Sequence, residues 1–150
     1  MRFQRAAVGA AAGRATLTFP LETLNTGGAY LLREGSAPLA GNQKKEVPVV
    51  ALDGLDLRRP VRFIKMDVEG AEPQVLRGAA RLLADDRPAI LSELHPAQLE
   101  RASGITPAQF LAQIAAFGYR AHHLEHGSIG APIDTAPAET MVSAVFVPVP

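Results

Sequence analysis

Residues 63–95 read FIKMDVEGAEPQVLRGAARLLADDRPAILSELH. The mostly apolar run Val61–Met66 at the start of this stretch is typical of a buried strand. Asp67 follows the run, and Gly70 predicts a turn. Pro73 suits the first turn of a helix, because proline has no backbone N–H to lose there. The order of these signals predicts a strand that leads through a short turn into a helix.

The next residues predict an amphipathic helix and a second strand. Apolar residues recur at three- and four-residue spacing and form one helix face. They are Val75, Leu76, Ala79, Leu82 and Leu83. Pro88 then blocks further helix and Ala89–Leu94 is a second apolar run, so the whole stretch fits the roughly thirty residues of a βαβ unit. We therefore expect an α/β fold with parallel pairing at this point.

Three polar residues lie where the two predicted strands end, and open α/β sheets bind ligands beyond the carboxyl ends of their strands. Asp67 has two interpretations: it orients a substrate hydroxyl or a hard cation, or it caps the next helix. Glu93 and His95 alternate on the second strand and leave the same face. Histidine as a residue type suits general-base chemistry, so His95 is our candidate general base, with a structural histidine before Pro96 as the alternative. These residues form the predicted catalytic set.

Three further residues are candidates for substrate binding. Glu69 and Glu72 lie at the start of the predicted helix, where acids also stabilise the helix dipole. Asn25 belongs to a Gly-rich stretch that is either a substrate loop or a plain turn. The run His122–His126 resembles a metal cluster, but neighbouring residues on a strand point to opposite faces, so we predict no metal site.

Composition limits the classes of protein. The 150 residues, 47% of them hydrophobic, suffice for one core, and 15 basic residues balance 15 acidic ones without a basic stripe, so we expect no nucleic-acid partner. No apolar run approaches the roughly 18 residues that span a membrane, so we expect no membrane partner. The absence of cysteine excludes thiol chemistry and favours a cytoplasmic location.

Outside the central unit the pattern is weaker. Residues 21–45 have no sustained period and predict a long surface loop, and the stretch from Gly127 to Pro137 predicts a mobile connection. Thr106 and Pro107 open a helix that Gly118 ends. The other predicted strands are Arg14–Phe19, Val47–Leu52, Tyr119–Leu124 and Ser143–Val147.

The central unit also resembles a known family. Residues 64–72 (IKMDVEGAE), 75–79 (VLRGA) and 90–95 (ILSELH) are similar to the core signature of the FkbM family of S-adenosylmethionine-dependent methyltransferases, and weaker similarity extends over most of residues 6–125. The resemblance implies a Rossmann-like methyltransferase sheet, mostly parallel with antiparallel C-terminal strands. It also implies S-adenosyl-L-methionine as cofactor and O-methylation of a hydroxyl on a small molecule, sugar or natural product.

The resemblance does not include the Gly-rich turn that binds the cofactor. Methyltransferases of this fold hold the cofactor on a Gly-rich turn after the first strand, whereas this chain resembles the family from about the third strand onward. Residues 7–13 (AVGAAAG) are the one candidate turn, but a strand-like stretch follows them where a helix should, so the cofactor-binding residues stay unassigned. We expect residues 1–150 to form a single, N-terminally truncated methyltransferase domain with its core signature at 61–95.

Two functions and several partners follow as expectations. The first function is methyl transfer to a small-molecule acceptor, and the alternative is a catalytically inactive fragment or binding module without cofactor affinity. A metal-dependent hydrolase that uses Asp67, Glu93 and His95 is a distant third, because these ligands have no recognisable spacing. Truncation would expose a sheet edge, so we expect a homo-oligomer or a missing N-terminal segment to cover it.

Overall fold

The computed structural model describes residues 3–21 and 28–150. In these ranges the strands are β1 (Ala7–Val8), β2 (Gly13–Pro20), β3 (Tyr30–Leu31), β4 (Asn42–Val50), β5 (Phe63–Met66), β6 (Ala89–Leu94), β7 (Tyr119–Glu125), β8 (Ser128–Pro132) and β9 (Val142–Pro148). The α-helices are α1 (Glu72–Arg77), α2 (Ala80–Asp86), α3 (Pro96–Ser103) and α4 (Pro107–Ala116), and one 3₁₀ helix covers Leu52–Gly54.

The described strands form two sheets. The four-stranded sheet has the order β1-β4-β2-β3, and the five-stranded sheet has the order β5-β6-β9-β7-β8. Only the β1–β4 and β5–β6 pairs are parallel among the described strands. The predicted βαβ unit and the antiparallel C-terminal strands are therefore confirmed. The expectation of one mostly parallel sheet is wrong, because five of the seven described strand pairs are antiparallel and a helical crossover joins only the β5–β6 pair.

The predicted helix after Pro73 is broken in two. Helix α1 ends at Arg77 and α2 begins at Ala80, with Gly78 between them. A Cβ atom on Gly78 would lie 2.0 Å from the carbonyl oxygen of Gly9, so the four-stranded sheet approaches the helix pair too closely for any side chain. The break follows from this contact, which brings together two glycines that are far apart in the chain.

Asp53 joins the same two parts of the molecule. Its backbone N–H donates to the Gly78 carbonyl over 2.8 Å, and its carboxylate accepts the backbone N–H groups of Arg81 and Leu82 over 2.8 and 2.9 Å. Helix α2 has no side-chain cap from its own N-cap residue, Ala79. Asp53 therefore supplies the N-terminal cap of α2 from the loop after β4.

The two predicted loops contain more structure than expected. Within residues 21–45, Tyr30–Leu31 forms β3 and β4 already begins at Asn42. The Tyr30 side chain is buried, and its hydroxyl accepts the Leu39 backbone N–H over 3.1 Å. In the expected connection from Gly127 to Pro137, residues Ser128–Pro132 form β8 and pair with β7. The positive φ angles of His126 and Gly127 explain that hairpin.

The main core lies between the helices and one face of the five-stranded sheet. Phe110 of α4 and Phe146 of β9 are fully buried, and their rings pack edge to face with centroids 5.8 Å apart.

The predicted start of α4 is confirmed, because the Thr106 and Gln109 side chains form a reciprocal capping box. Strand β5 lies at the described edge of this sheet and Phe63 on it is 55% exposed, so coverage by an oligomer or a further segment stays a prediction.

Candidate functional site

The turn between β5 and α1 carries the first group of predicted site residues. Asp67 follows the last residue of β5, and its carboxylate accepts from the Lys65 ammonium over 3.3 Å in an exposed ion pair. The N-cap of α1 is Ala71, four residues after Asp67, and Ala71 makes no side-chain cap hydrogen bond. The interpretation of Asp67 as a helix cap is therefore wrong, and its side chain is 51% exposed beyond the strand end.

The backbone of this turn is fixed by α3. Glu69 and Gly70 both adopt the left-handed conformation, with φ angles of 53° and 95°. A Cβ atom on Gly70 would lie 2.1 Å from the carbonyl oxygen of Gln98, which only glycine allows. The Ser103 hydroxyl donates to the Gly70 carbonyl, and the Gln98 amide donates to the Glu69 carboxylate. Glu69 holds an uncommon conformation because α3 contacts both sides of the turn.

Glu72 turns back on the same segment. Its side chain is 3% exposed and accepts the Gly70 backbone N–H over 3.4 Å. Burial raises the pKa of Glu72, and the backbone N–H groups of Glu72, Gly70 and Val68 partly oppose that rise. The Glu72 carboxylate therefore faces the backbone of its own turn. Substrate binding by Glu72 stays a prediction, and none of these contacts favours it.

The end of β6 supplies the second group. Glu93 is exposed on β6, and His95 is half-buried as the N-cap residue of α3. Because β5 and β6 pair in parallel, their carboxyl ends lie side by side. The pKa of Glu69 is raised first by burial and then by the charges of Asp67 and Glu93, while the Gln98 hydrogen bond and His95 lower it. Asp67, Glu69, Glu93 and His95 thus form one electrostatic neighbourhood, which we call the strand-end cluster.

The His95 imidazole is partly enclosed at the end of β6. Its Nδ1 is buried and has no hydrogen-bond partner among the described residues. Buried polar atoms are normally paired, and a neutral imidazole has one nitrogen free to accept a proton. His95 is therefore a candidate base by residue type and by its position at the strand end.

The other predicted residues lie apart from this cluster or outside the described chain. Asn25 falls in residues 22–27, which the structure does not describe. The His122 Nδ1 atom lies 3.1 Å from the Gly130 carbonyl oxygen. The pairing of β7 with β8 is irregular between His122 and Leu124. Within residues 3–21 and 28–150, no group of three or more His, Asp or Glu side chains is placed to hold a metal ion. The hydrolase hypothesis therefore has no supporting geometry.

Two glycines can be compared with the Gly-rich turn that holds the cofactor in this fold, Gly9 after β1 and Gly70 after β5. The candidate turn after β1 leads into β2 and not into a helix, and a Cβ on Gly9 would lie 2.8 Å from the Val49 side chain. The strand–turn–helix glycine, Gly70, is filled by the backbone of α3. Within the described residues, neither of these glycines lies in a strand–turn–helix arrangement open to a cofactor.

Sequence reasoning missed the residues that position the cluster. Gln98 and Ser103 lie on α3, and they carry no motif that would have marked them before the fold placed α3 on the turn.

The described helices include none that is long and apolar enough to cross a membrane.

Comparison with known proteins agrees with the resemblance seen in the sequence. Residues 4–121 match the family described as the methyltransferase FkbM domain. Neither a curated protein nor a solved structure matches the chain. Because the matched residues cover most of the 150-residue chain, the chain belongs to the FkbM methyltransferase domain family.

Proposed function

We propose that this chain takes part in S-adenosylmethionine-dependent O-methylation of a hydroxyl on a small molecule, sugar or natural product. The single observation that carries the proposal is the position of the half-buried His95 at the carboxyl end of β6, in the electrostatic neighbourhood that Glu69 shares with Asp67 and Glu93. The parallel β5–β6 pair with a helical crossover is compatible with a Rossmann-like methyltransferase sheet. Family membership supplies the reaction class.

The proposed chemistry assigns the described residues to the acceptor. S-Adenosylmethionine supplies an electrophilic methyl group, and an oxygen that receives it must lose its proton. The acceptor hydroxyl donates a hydrogen bond to the His95 imidazole, which takes that proton, while Asp67 orients the hydroxyl from the neighbouring strand end. The carboxylates of Glu69 and Glu93 stabilise the imidazolium that results. A general base of this kind contributes roughly 10²- to 10⁴-fold in rate.

A second candidate function is a binding module that has the acceptor side of the fold but no cofactor affinity. The absence of an open strand–turn–helix arrangement at Gly9 and Gly70 favours it. Both candidates use the strand-end cluster for ligand contact. They differ in whether the chain binds S-adenosylmethionine and releases product.

Calorimetric titration of the full chain with S-adenosylmethionine separates the two. Methyl transfer predicts binding and release of S-adenosylhomocysteine with hydroxylated acceptors, and a smaller release with their amino analogues. The absence of both binding and release would overturn the enzyme, whereas micromolar binding would overturn the binding module.

Asp67→Asn tests the acceptor assignment, and Asp134→Asn is its matched control. Both aspartates lie in exposed ion pairs, Asp67 with Lys65 and Asp134 with Arg120. We expect a loss of about tenfold or more in turnover for Asp67→Asn and unchanged turnover for Asp134→Asn. Equal turnover in the two variants would contradict the role of Asp67.

Three expectations remain proposals beside this function. They are a single domain over residues 1–150, a cytoplasmic location, and a homo-oligomer or additional segment along the exposed edge of β5.

A further inference from the structure

Two adjoining cavities lie against the four-stranded sheet. The smaller, of about 180 Å³, is bounded by Leu17 and Tyr30 on one side and by Val68 and Ala71 on the other. The larger, of about 450 Å³, continues along Leu17 toward Val47. Both cavities share Ala6, Ala7 and Leu17, so they lie side by side, and we call the two together the apolar trough. Its combined volume falls within the roughly 300 to 1,000 Å³ of small-molecule sites.

The inner end of the trough meets the turn between β5 and α1. Val68 bounds it there and is flanked in the chain by Asp67 and Glu69, whose Cα atoms are each about 3.8 Å from that of Val68. Ala71, at the end of the same turn, is buried and also bounds the trough. A ligand seated in the inner end therefore reaches the turn that carries the acidic residues.

The outer end of the trough is basic. Arg5 and Lys45 line it, both are exposed, and neither has an ion-pair partner within the described residues. Glu46 also lines this end, but its carboxylate pairs with the Arg14 guanidinium. The net charge that faces a ligand at the outer end is positive.

We propose that the apolar trough holds the body of the methyl acceptor, which is an apolar molecule with a hydroxyl at one end and an anionic group at the other. This inference rests on the proposed function and narrows its substrate class. The hydroxyl lies at the strand-end cluster, the apolar body contacts Leu17 and Val68, and the anion lies beside Arg5 and Lys45. A sugar fits poorly, because its hydroxyls would lose water against apolar walls without gaining partners.

The test is calorimetric titration of the full chain, without S-adenosylmethionine, using ω-hydroxyoctanoate, the matching octanediol and methyl glucoside. We expect ω-hydroxyoctanoate to bind tightest, the diol to bind about tenfold more weakly, and the glucoside not to bind. Glucoside binding as tight as that of ω-hydroxyoctanoate would overturn the proposal, and so would binding of none of the three.

Two charge reversals localise the anion. Lys45→Glu should weaken ω-hydroxyoctanoate binding about tenfold or more and leave diol binding unchanged. Lys44→Glu is the matched control, because Lys44 also lies on β4 but does not line the trough, whereas Lys45 does. Equal effects of the two reversals would place the anion elsewhere and contradict the proposal.

Leu17→Asp localises the apolar body, with Ile129→Asp on β8 as its control. Leu17→Asp should abolish binding of both octyl probes, whereas Ile129→Asp should not change it; thermal melts confirm that each variant is folded. Because binding is measured without the cofactor, failure of the trough is distinguishable from failure of methyl transfer. Binding that localises as described without any product release would overturn only the proposed function.

Discussion

The two sheets of this molecule have different packing. The five-stranded sheet buries one face against the helices, with Ile90, Ala144 and Phe146 among its fully covered residues. In the described strands of the four-stranded sheet only Thr18 and Tyr30 are buried. The first sheet therefore provides most of the core, while the second provides cavity walls beside the candidate site. The five-stranded sheet should therefore determine most of the stability, and the four-stranded sheet should determine the shape of the cavities. Mutations in each sheet can test this division.

The largest expected difference concerns one apolar residue from each sheet. Phe146→Ala removes a fully buried ring and should lower the free energy of unfolding by about 3–5 kcal/mol. Leu17→Ala removes a part-buried side chain at the trough and should cost about 1 kcal/mol. Urea unfolding of both variants measures the difference. Similar losses would show that the four-stranded sheet contributes to the core as much as the five-stranded sheet does.

The contact between the helix pair and the segment after β1 is tested at Gly78. A Cβ there would displace the Gly9 carbonyl, so Gly78→Ala should cost about 1–3 kcal/mol through overpacking. Gly54→Ala is the control, because nothing lies within 4 Å of its added Cβ and its φ angle is negative. The free energy of unfolding should be lower for Gly78→Ala than for Gly54→Ala by most of that cost. Equal values for the two variants would mean that the close approach of Gly9 to Gly78 does not contribute to stability.

A second contact between the helix pair and the rest of the molecule is the Asp53 cap, which reaches α2 from the loop after β4. Asp53→Ala should cost about 0.5–2 kcal/mol, because the N–H groups of Arg81 and Leu82 lose their acceptor. Asp53→Asn keeps a carbonyl oxygen in place and should recover part of that loss. Thermal melts of both variants provide the measurement, and an identical melting temperature for Asp53→Ala and the original chain would refute the capping role.

The smallest effect concerns pH and the buried Glu72. Burial raises its pKa in the folded state above the ordinary value of 4.5, so the unfolded chain loses this proton first as pH rises. Folding stability from this group therefore falls as pH rises from 4.5 toward the folded pKa. Gln does not titrate, so the stability of Glu72→Gln relative to the original chain should increase from acid to neutral pH. Urea unfolding at several pH values checks this, and a constant difference would contradict it.

Much of the fold was predictable where the signals are local. The run from Phe63 to His95 carries its own strand periodicity, turn glycine and proline boundaries, and its structure follows them. The helix break at Gly78 was not predictable, because its cause is the backbone of Gly9 in another sheet. Likewise β3 depends on the burial of Tyr30, which no short-range pattern in residues 21–45 indicates.

The candidate site divides in the same way. Asp67, Glu93 and His95 could be predicted because strand ends and alternation place them together. The parts of the site that come from other elements could not, since Gln98 on α3 and Leu17 on β2 reach the turn only after folding. Local patterns therefore indicate the candidate residues, and tertiary contacts define what surrounds them.

The most direct test of the central claim is the rate of S-adenosylhomocysteine release in His95→Ala. With S-adenosylmethionine and a hydroxylated acceptor, we expect the original chain to turn over and His95→Ala to be slower by about 10²-fold or more. His126→Ala, at an exposed histidine in the β7–β8 hairpin, is the control and should keep the original rate. Equal rates in the original chain and His95→Ala, with both folded, would contradict the claim that the strand-end cluster performs acceptor chemistry.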